Sequence, residues 1–181
     1  LQTLSEIVGK SAEAVKKEIE EAAEILNSCY DKKTGLFTAV SGQISYHSQI
    51  WAVLSGVLTD TEAVKVLDRI NKYPTELTMR TPYMMHYYIE ALYNSGLKDE
   101  ALSFIKDTWG KIVKAGFDCC PEIFNTENPL ESPYNAPEIN SACHAWSCTP
   151  VYFIYTYPEI FQKLPDCLSL NILIHTQPFL F

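Results

Sequence analysis

The chain has 181 residues, 47% of them hydrophobic and 20% charged, a composition that suits one globular domain and excludes overall disorder. A net charge of −8 without any basic cluster excludes a phosphate-tracking surface, so a nucleic-acid partner is not expected and a neutral or cationic small substrate fits better. No apolar run approaches the roughly 20 residues that span a bilayer, so no membrane partner is expected.

The opening "LQTLSEIVGK" lacks a basic region followed by a hydrophobic one, and its first residue is Leu1, so the start reads as truncated and export is not readable from it. The six cysteines match no zinc ribbon or disulfide framework. Free thiols in a reducing compartment follow, with the cytoplasm favoured, and no cofactor or metal is expected.

Ser11 is a good N-cap for the helix predicted in "AEAVKKEIEEAAEILNSCY", where Val15, Ile19, Ala22, Leu26 and Cys29 recur at helical spacing against a charged face. The next, "SYHSQIWAVLS" at 45–55, carries no charge and stops at Gly56. Thr59 and Glu62 form a capping box for a second charged helix, which ends before Pro74. Pro82 opens "PYMMHYYIEALYNS", whose only charge is Glu90, and Gly96 closes it. "LKDEALSFIKDTWGKIVKA" is again charged on one face, with Ala101, Leu102, Ile105, Trp109, Ile112 and Val113 on the other. The last predicted helix, 140–157, is uncharged.

Charged and uncharged helices thus alternate three times, which predicts uncharged inner helices covered by charged outer ones in a stack of helical hairpins. Inner-to-outer links are short, whereas the outer-to-inner links at 31–44, 74–81 and 117–139 are long, and long loops in an ordered domain usually carry function. All three are expected at one end, beside Ser45, Tyr46, His47, Ser48 and Gln49, then Tyr83, His86 and Tyr87, then Ser141, His144 and Trp146. Aromatic rings, imidazoles and hydroxyls around a cavity suit a polyhydroxylated ligand with apolar ring faces; the competing role for each is that of a hydrogen-bonded core residue.

Two stretches go further. "TWGKIVKAGFDCCPE" at 108–122 and "SACHAWSCTPVYFI" at 141–154 resemble the catalytic domain of the α-L-rhamnosidase family of glycoside hydrolases, in the order and spacing of Trp109, Gly110, Gly116, Glu122, Cys143, His144, Ala145, Trp146 and Ser147. "SYHSQIWAVLSGV" and "YYIEALYNSGLKDEAL" are similar to the family's preceding hairpins, so the resemblance covers residues 4–154. Pro121 stands where the family has a tryptophan, and Asp118 and Cys119 replace two threonines, changes that bear on the sugar pocket. The tail "FQKLPDCLSLNILIHTQPFLF" resembles neither the family's last helices nor the β-sandwich that often follows.

The resemblance implies an all-α fold of helical hairpins forming about half of an (α/α)6 toroid, with 1–157 as the C-terminal half of the catalytic domain and 158–181 as an atypical tail. It implies inverting hydrolysis of terminal α-L-rhamnose from a rhamnose-containing carbohydrate, with Glu122 as general base and His144 as a sugar ligand. His47, Gln49 and Trp146 are further candidates for the cleft. The family's general acid lies in the missing N-terminal half of the same domain, which makes that half the expected partner and the chain alone inactive. A six-hairpin glycosidase of other sugar specificity, or a helical-repeat binding scaffold, are the alternatives.

Overall fold

A computed structural model describes residues 7, 13–39, 41–125, 127–128, 131–132 and 134–161. Among them are six α-helices: α1 (Glu13–Ser28), α2 (Tyr46–Leu54), α3 (Asp60–Lys72), α4 (Pro82–Asn94), α5 (Lys98–Lys114) and α6 (Thr149–Thr156). The chain is all-α as expected, and it divides into two compact units, 1–78 and 79–181. The Ser11 cap lies outside the described residues.

In the first unit, α2 and α3 form a hairpin with the expected ends. The Ser45 hydroxyl accepts from the Ser48 N–H, and Gly56 turns the chain with φ 73°, a conformation that costs glycine no side-chain clash. The Glu62 carboxylate accepts from the Thr59 N–H at 2.9 Å and from its hydroxyl at 2.7 Å, closing the start of α3. Ala63, Val66, Leu67 and Ile70 recur at helical spacing and pack with Ile50, Ala52 and Val53 in the core. By contrast α1 leaves Ile19 and Ile25 exposed, while Val15, Leu26 and Cys29 of its predicted stripe are half-buried.

The link at 31–44 is not wholly irregular. Strands β1 (Tyr30–Asp31) and β2 (Leu36–Phe37) pair antiparallel, Tyr30 opposite Phe37. The Asp31 carboxylate caps the turn by accepting from Lys33 and Thr34, and Gly35 completes it at φ 72°. Sequence patterning missed these strands because two residues are too few to show alternation. Leu36 and Phe37 are fully buried, which makes this loop part of the core.

In the second unit, α4 packs against α5 and α6. Pro82 stands at the first turn of α4, and Gly96 and Gly116 close α4 and α5 with positive φ. The buried stripe of α5 is Ala101, Leu102, Ile105, Trp109 and Ile112; Val113, expected with them, is 62% exposed. The first residues of the expected tail pack on this unit, next to Tyr157, which stacks on Tyr93 with centroids 3.8 Å apart: Phe161 packs near Leu102, and Glu159 accepts from the Tyr93 hydroxyl and pairs with Lys98. The rest of the tail, from 162, lies outside the described residues.

One predicted element is corrected. The uncharged helix expected over 140–157 begins only at Thr149, preceded by 3₁₀ turns at Pro137–Ile139 and Ala145–Ser147. Pro150 has no N–H to continue a helix backwards, and its ring would meet the carbonyl one turn earlier. The residues before it are extended because their backbone groups are used elsewhere: Ser141 accepts from the Glu122 N–H and His144 donates to Cys120, both at 2.8 Å. His144 and Trp146 therefore sit in an irregular approach to α6, not on a helix.

Candidate functional site

The sequence candidates fall in both units. His47 and Gln49 belong to the first. His47 is exposed on the first turn of α2. Gln49 is fully buried, and its amide is committed: Oε1 accepts from Phe37 N–H at 2.8 Å, while Nε2 donates to Phe37 O at 2.8 Å and to Ser45 O at 3.1 Å. An amide with its donors and acceptor occupied by backbone is a clamp for β2, not an open cleft ligand, and that expectation is corrected accordingly.

Glu122 and His144 belong to the second unit and are brought together by the two backbone bonds between 120–122 and 141–144. Pro121 and Ile123, on either side of Glu122, are buried, so the segment is pinned while the half-buried Glu122 carboxylate stays accessible. Its Oε1 accepts from the Tyr134 hydroxyl, and its Oε2 accepts a long bond, 3.4 Å, from the Ser141 N–H. The Tyr134 hydroxyl chiefly, with Ser141 N–H and His144 adding to it, holds the Glu122 carboxyl below the usual range against some desolvation, so the group is ionised at neutral pH.

The loop carrying Tyr134 is braced. Glu131 is paired with Arg80, whose Nε donates to Oε1 at 2.7 Å, and accepts on Oε2 from Asn125 Nδ2 at 2.7 Å. Asn140 Nδ2 donates to the Glu131 carbonyl at 2.7 Å. The Ser132 hydroxyl then accepts from the N–H groups of Tyr134 and Ala136, and Asn135 takes φ 56°, a left-handed conformation that asparagine tolerates better than most residues. Arg80, Asn128, Glu131, Ser132, Asn135 and Pro137 line an open polar cavity of about 520 Å³.

A second cavity, of about 390 Å³, is aromatic and is lined by Tyr83, His86, Tyr87, Trp146, Thr149 and Tyr152, among others. Trp146 is 64% exposed and leans on both neighbours, its ring 5.0 Å from that of Tyr83 and 5.9 Å from that of His144. The Trp109 indole N–H donates to Ser147 O at 2.8 Å and so fixes the 3₁₀ turn that carries Trp146. Burial lowers the His86 imidazole below its ordinary value despite Glu90 3.8 Å away, and its Nδ1, like Thr149 Oγ1, is buried without a hydrogen-bond partner among the described residues. The Cys120 thiol, pushed up to about 12 first by burial and then by Cys148, stays protonated at neutral pH and is no nucleophile.

The sequence did not single out Tyr134, Arg80 or Asn125. The run "SPYNAP" at 132–137 signals a turn, but nothing in it tells which side chain the turn delivers to Glu122.

Comparison with known proteins returns no matching family model and no matching curated protein. Solved structures do match. A rhamnosidase from Klebsiella oxytoca, with rhamnose bound, is similar over 81% of this chain with 39% identity and a TM-score of 0.77. A GH78 family rhamnosidase of Bacillus sp. GL1 is similar in fold over 74% of the chain, with 24% identity and a TM-score of 0.60. Both neighbours have a six-hairpin helical fold, and the chain spans 29% of the length of the first and 15% of the second.

Proposed function

Since the chain belongs to the α-L-rhamnosidase family of glycoside hydrolases, we propose that it forms the C-terminal half of a six-hairpin catalytic domain that removes terminal α-L-rhamnose with inversion. Residues 1–157 are that half, and 158–181 are a tail whose first residues, to Phe161, pack on it. The observation that carries this reading is the joining of Glu122, ionised and half-buried, to the segment that bears His144 and Trp146.

Inversion requires a base that deprotonates water on one face of the sugar and an acid that protonates the departing oxygen on the other, the two carboxyls being roughly 6.5–9.5 Å apart. Glu122 is the base: an ionised carboxylate with one oxygen held by Tyr134 leaves the other to take the proton from water. His144, half-buried beside it, donates to or accepts from a sugar hydroxyl, and the exposed Trp146 ring offers an apolar platform to a sugar face. The wall formed by Tyr83, His86, Tyr87 and Tyr152 suits the same ligand class. His47 stands as a lesser candidate on the first unit.

The acid comes from the remainder of the domain, because one carboxylate cannot reach both faces of the sugar. The 29% coverage of the Klebsiella oxytoca rhamnosidase supports this, and the same remainder is the partner for the apolar surfaces left exposed at Ile19 and Ile25.

The test is hydrolysis of a panel of aryl glycosides by the protein extended to the length of the rhamnosidases, with proton NMR of the first-formed sugar. Expected are turnover of the α-L-rhamnoside with the β-anomer appearing first, and no turnover by the 181-residue chain alone. Release of the α-anomer, preference for another sugar, or robust turnover by the short chain each overturns a named part of the proposal.

A further inference from the structure

We infer that Tyr134 is a positioning residue for Glu122, holding one carboxylate oxygen so that the other is presented to water. This rests on the assignment of Glu122 as base. Tyr134 is 50% exposed, so burial does not account for its placement, whereas its hydroxyl lies on Glu122 Oε1. Among the described residues Oε2 has only the long Ser141 contact, and is the oxygen left with lone pairs free for a proton.

Tyr134 is delivered to Glu122 by a braced turn. A floppy tyrosine would spend its rotamer entropy against one hydrogen bond, but here the backbone is fixed on both sides. Arg80 and Asn125 hold Glu131, Asn140 holds the Glu131 carbonyl, Ser132 binds the N–H groups of Tyr134 and Ala136 and donates to the Ala136 carbonyl, and Asn135 takes the left-handed turn. The brace runs from Arg80, just before α4, to the carboxylate of Glu122. A phenol donating to a carboxylate favours its ionised form. Among the described residues the groups that face Glu122 are Tyr134, the Ser141 N–H and His144, and of these Tyr134 weighs most on its proton affinity.

The experiment is a titration of the Glu122 δ-carboxyl carbon by NMR in the 181-residue chain, parent against Tyr134→Phe, followed by the pH profile of kcat/KM for the same substitution in the extended enzyme. Expected are an upward move of the Glu122 midpoint in the chain, an equal upward move of the acid limb in the enzyme, and about a tenfold loss of kcat on the pH plateau from misaimed oxygens. Ser132→Ala, which removes the bonds that hold the turn but leaves the Tyr134 hydroxyl present, should move the midpoint the same way by less. An unchanged midpoint in Tyr134→Phe overturns the inference. A midpoint that moves while the acid limb stays put instead removes Glu122 from the role of base, and the inference falls with it. Circular dichroism superimposable on the parent confirms that the comparison is made on folded protein.

Discussion

The backbone N–H of His144 donates to the carbonyl of Cys120 at 2.8 Å. This bond, with its neighbour from Glu122 N–H to Ser141 O, joins two segments separated in sequence by the whole proline-rich insertion. Each bond is worth about 1 kcal/mol net, so their importance lies less in stability than in register: they fix which residues stand beside Glu122.

The first prediction concerns Glu122→Gln in the extended enzyme. The amide keeps the shape, and its single oxygen can still accept from Tyr134 while only the long Ser141 contact is given up, so fold and rhamnose affinity are retained while kcat falls by about 10²–10⁴. In the parent, the carboxyl is held below its ordinary value, chiefly by the Tyr134 hydroxyl, so the base is ionised throughout the neutral range and activity declines only in acid, as pH falls through that lowered value. The same group contributes to stability above its unfolded pKa, and that contribution disappears as pH falls through its lowered folded value. Steady-state kinetics across pH checks both parts; a variant retaining most of its kcat refutes the assignment.

Trp109→Phe is expected to destabilise the second unit by about 2–3 kcal/mol. Trp109 is 7% exposed, and the change removes ring volume from the core and leaves Ser147 O without the indole N–H. Urea denaturation measures the loss. Because that bond holds the turn carrying Trp146, the KM for an aryl rhamnoside should rise in the extended enzyme as well; a variant with unchanged urea midpoint contradicts the anchoring role.

Gln49→Leu separates a structural from a ligand role for that side chain. Leucine fills the space but leaves both Phe37 backbone groups without the amide that pairs them, at a cost of about 2–4 kcal/mol. A fall in the melting temperature is expected, together with faster amide exchange at Phe37. Unaltered melting accompanied by a raised KM would return Gln49 to the cleft.

Much of the helical layout was legible along the chain because its signals are local. Ser45, Thr59 with Glu62, Pro82, Gly56, Gly96 and Gly116 mark helix ends through their own backbone chemistry, and the structure has helices ending there. Glu122 and His144 were picked out by motif order, which is also a property of sequence. The late start of α6 was readable too, from Pro150, but the absence of charge over 140–157 suggested a longer helix.

What tertiary structure decided is everything set by bonds between distant residues. Whether Gln49 opens to a cleft or clamps β2 depends on where Phe37 lies, and no pattern around Gln49 encodes that. Tyr134 is ordinary in sequence and becomes the principal partner of Glu122 only because Arg80, Glu131 and Asn140 hold its turn in place. Local propensity acts over a few residues and so fixes where helices begin and end. The proton affinity and aim of a carboxylate depend on groups within a few ångströms in space, and those are chosen by the fold.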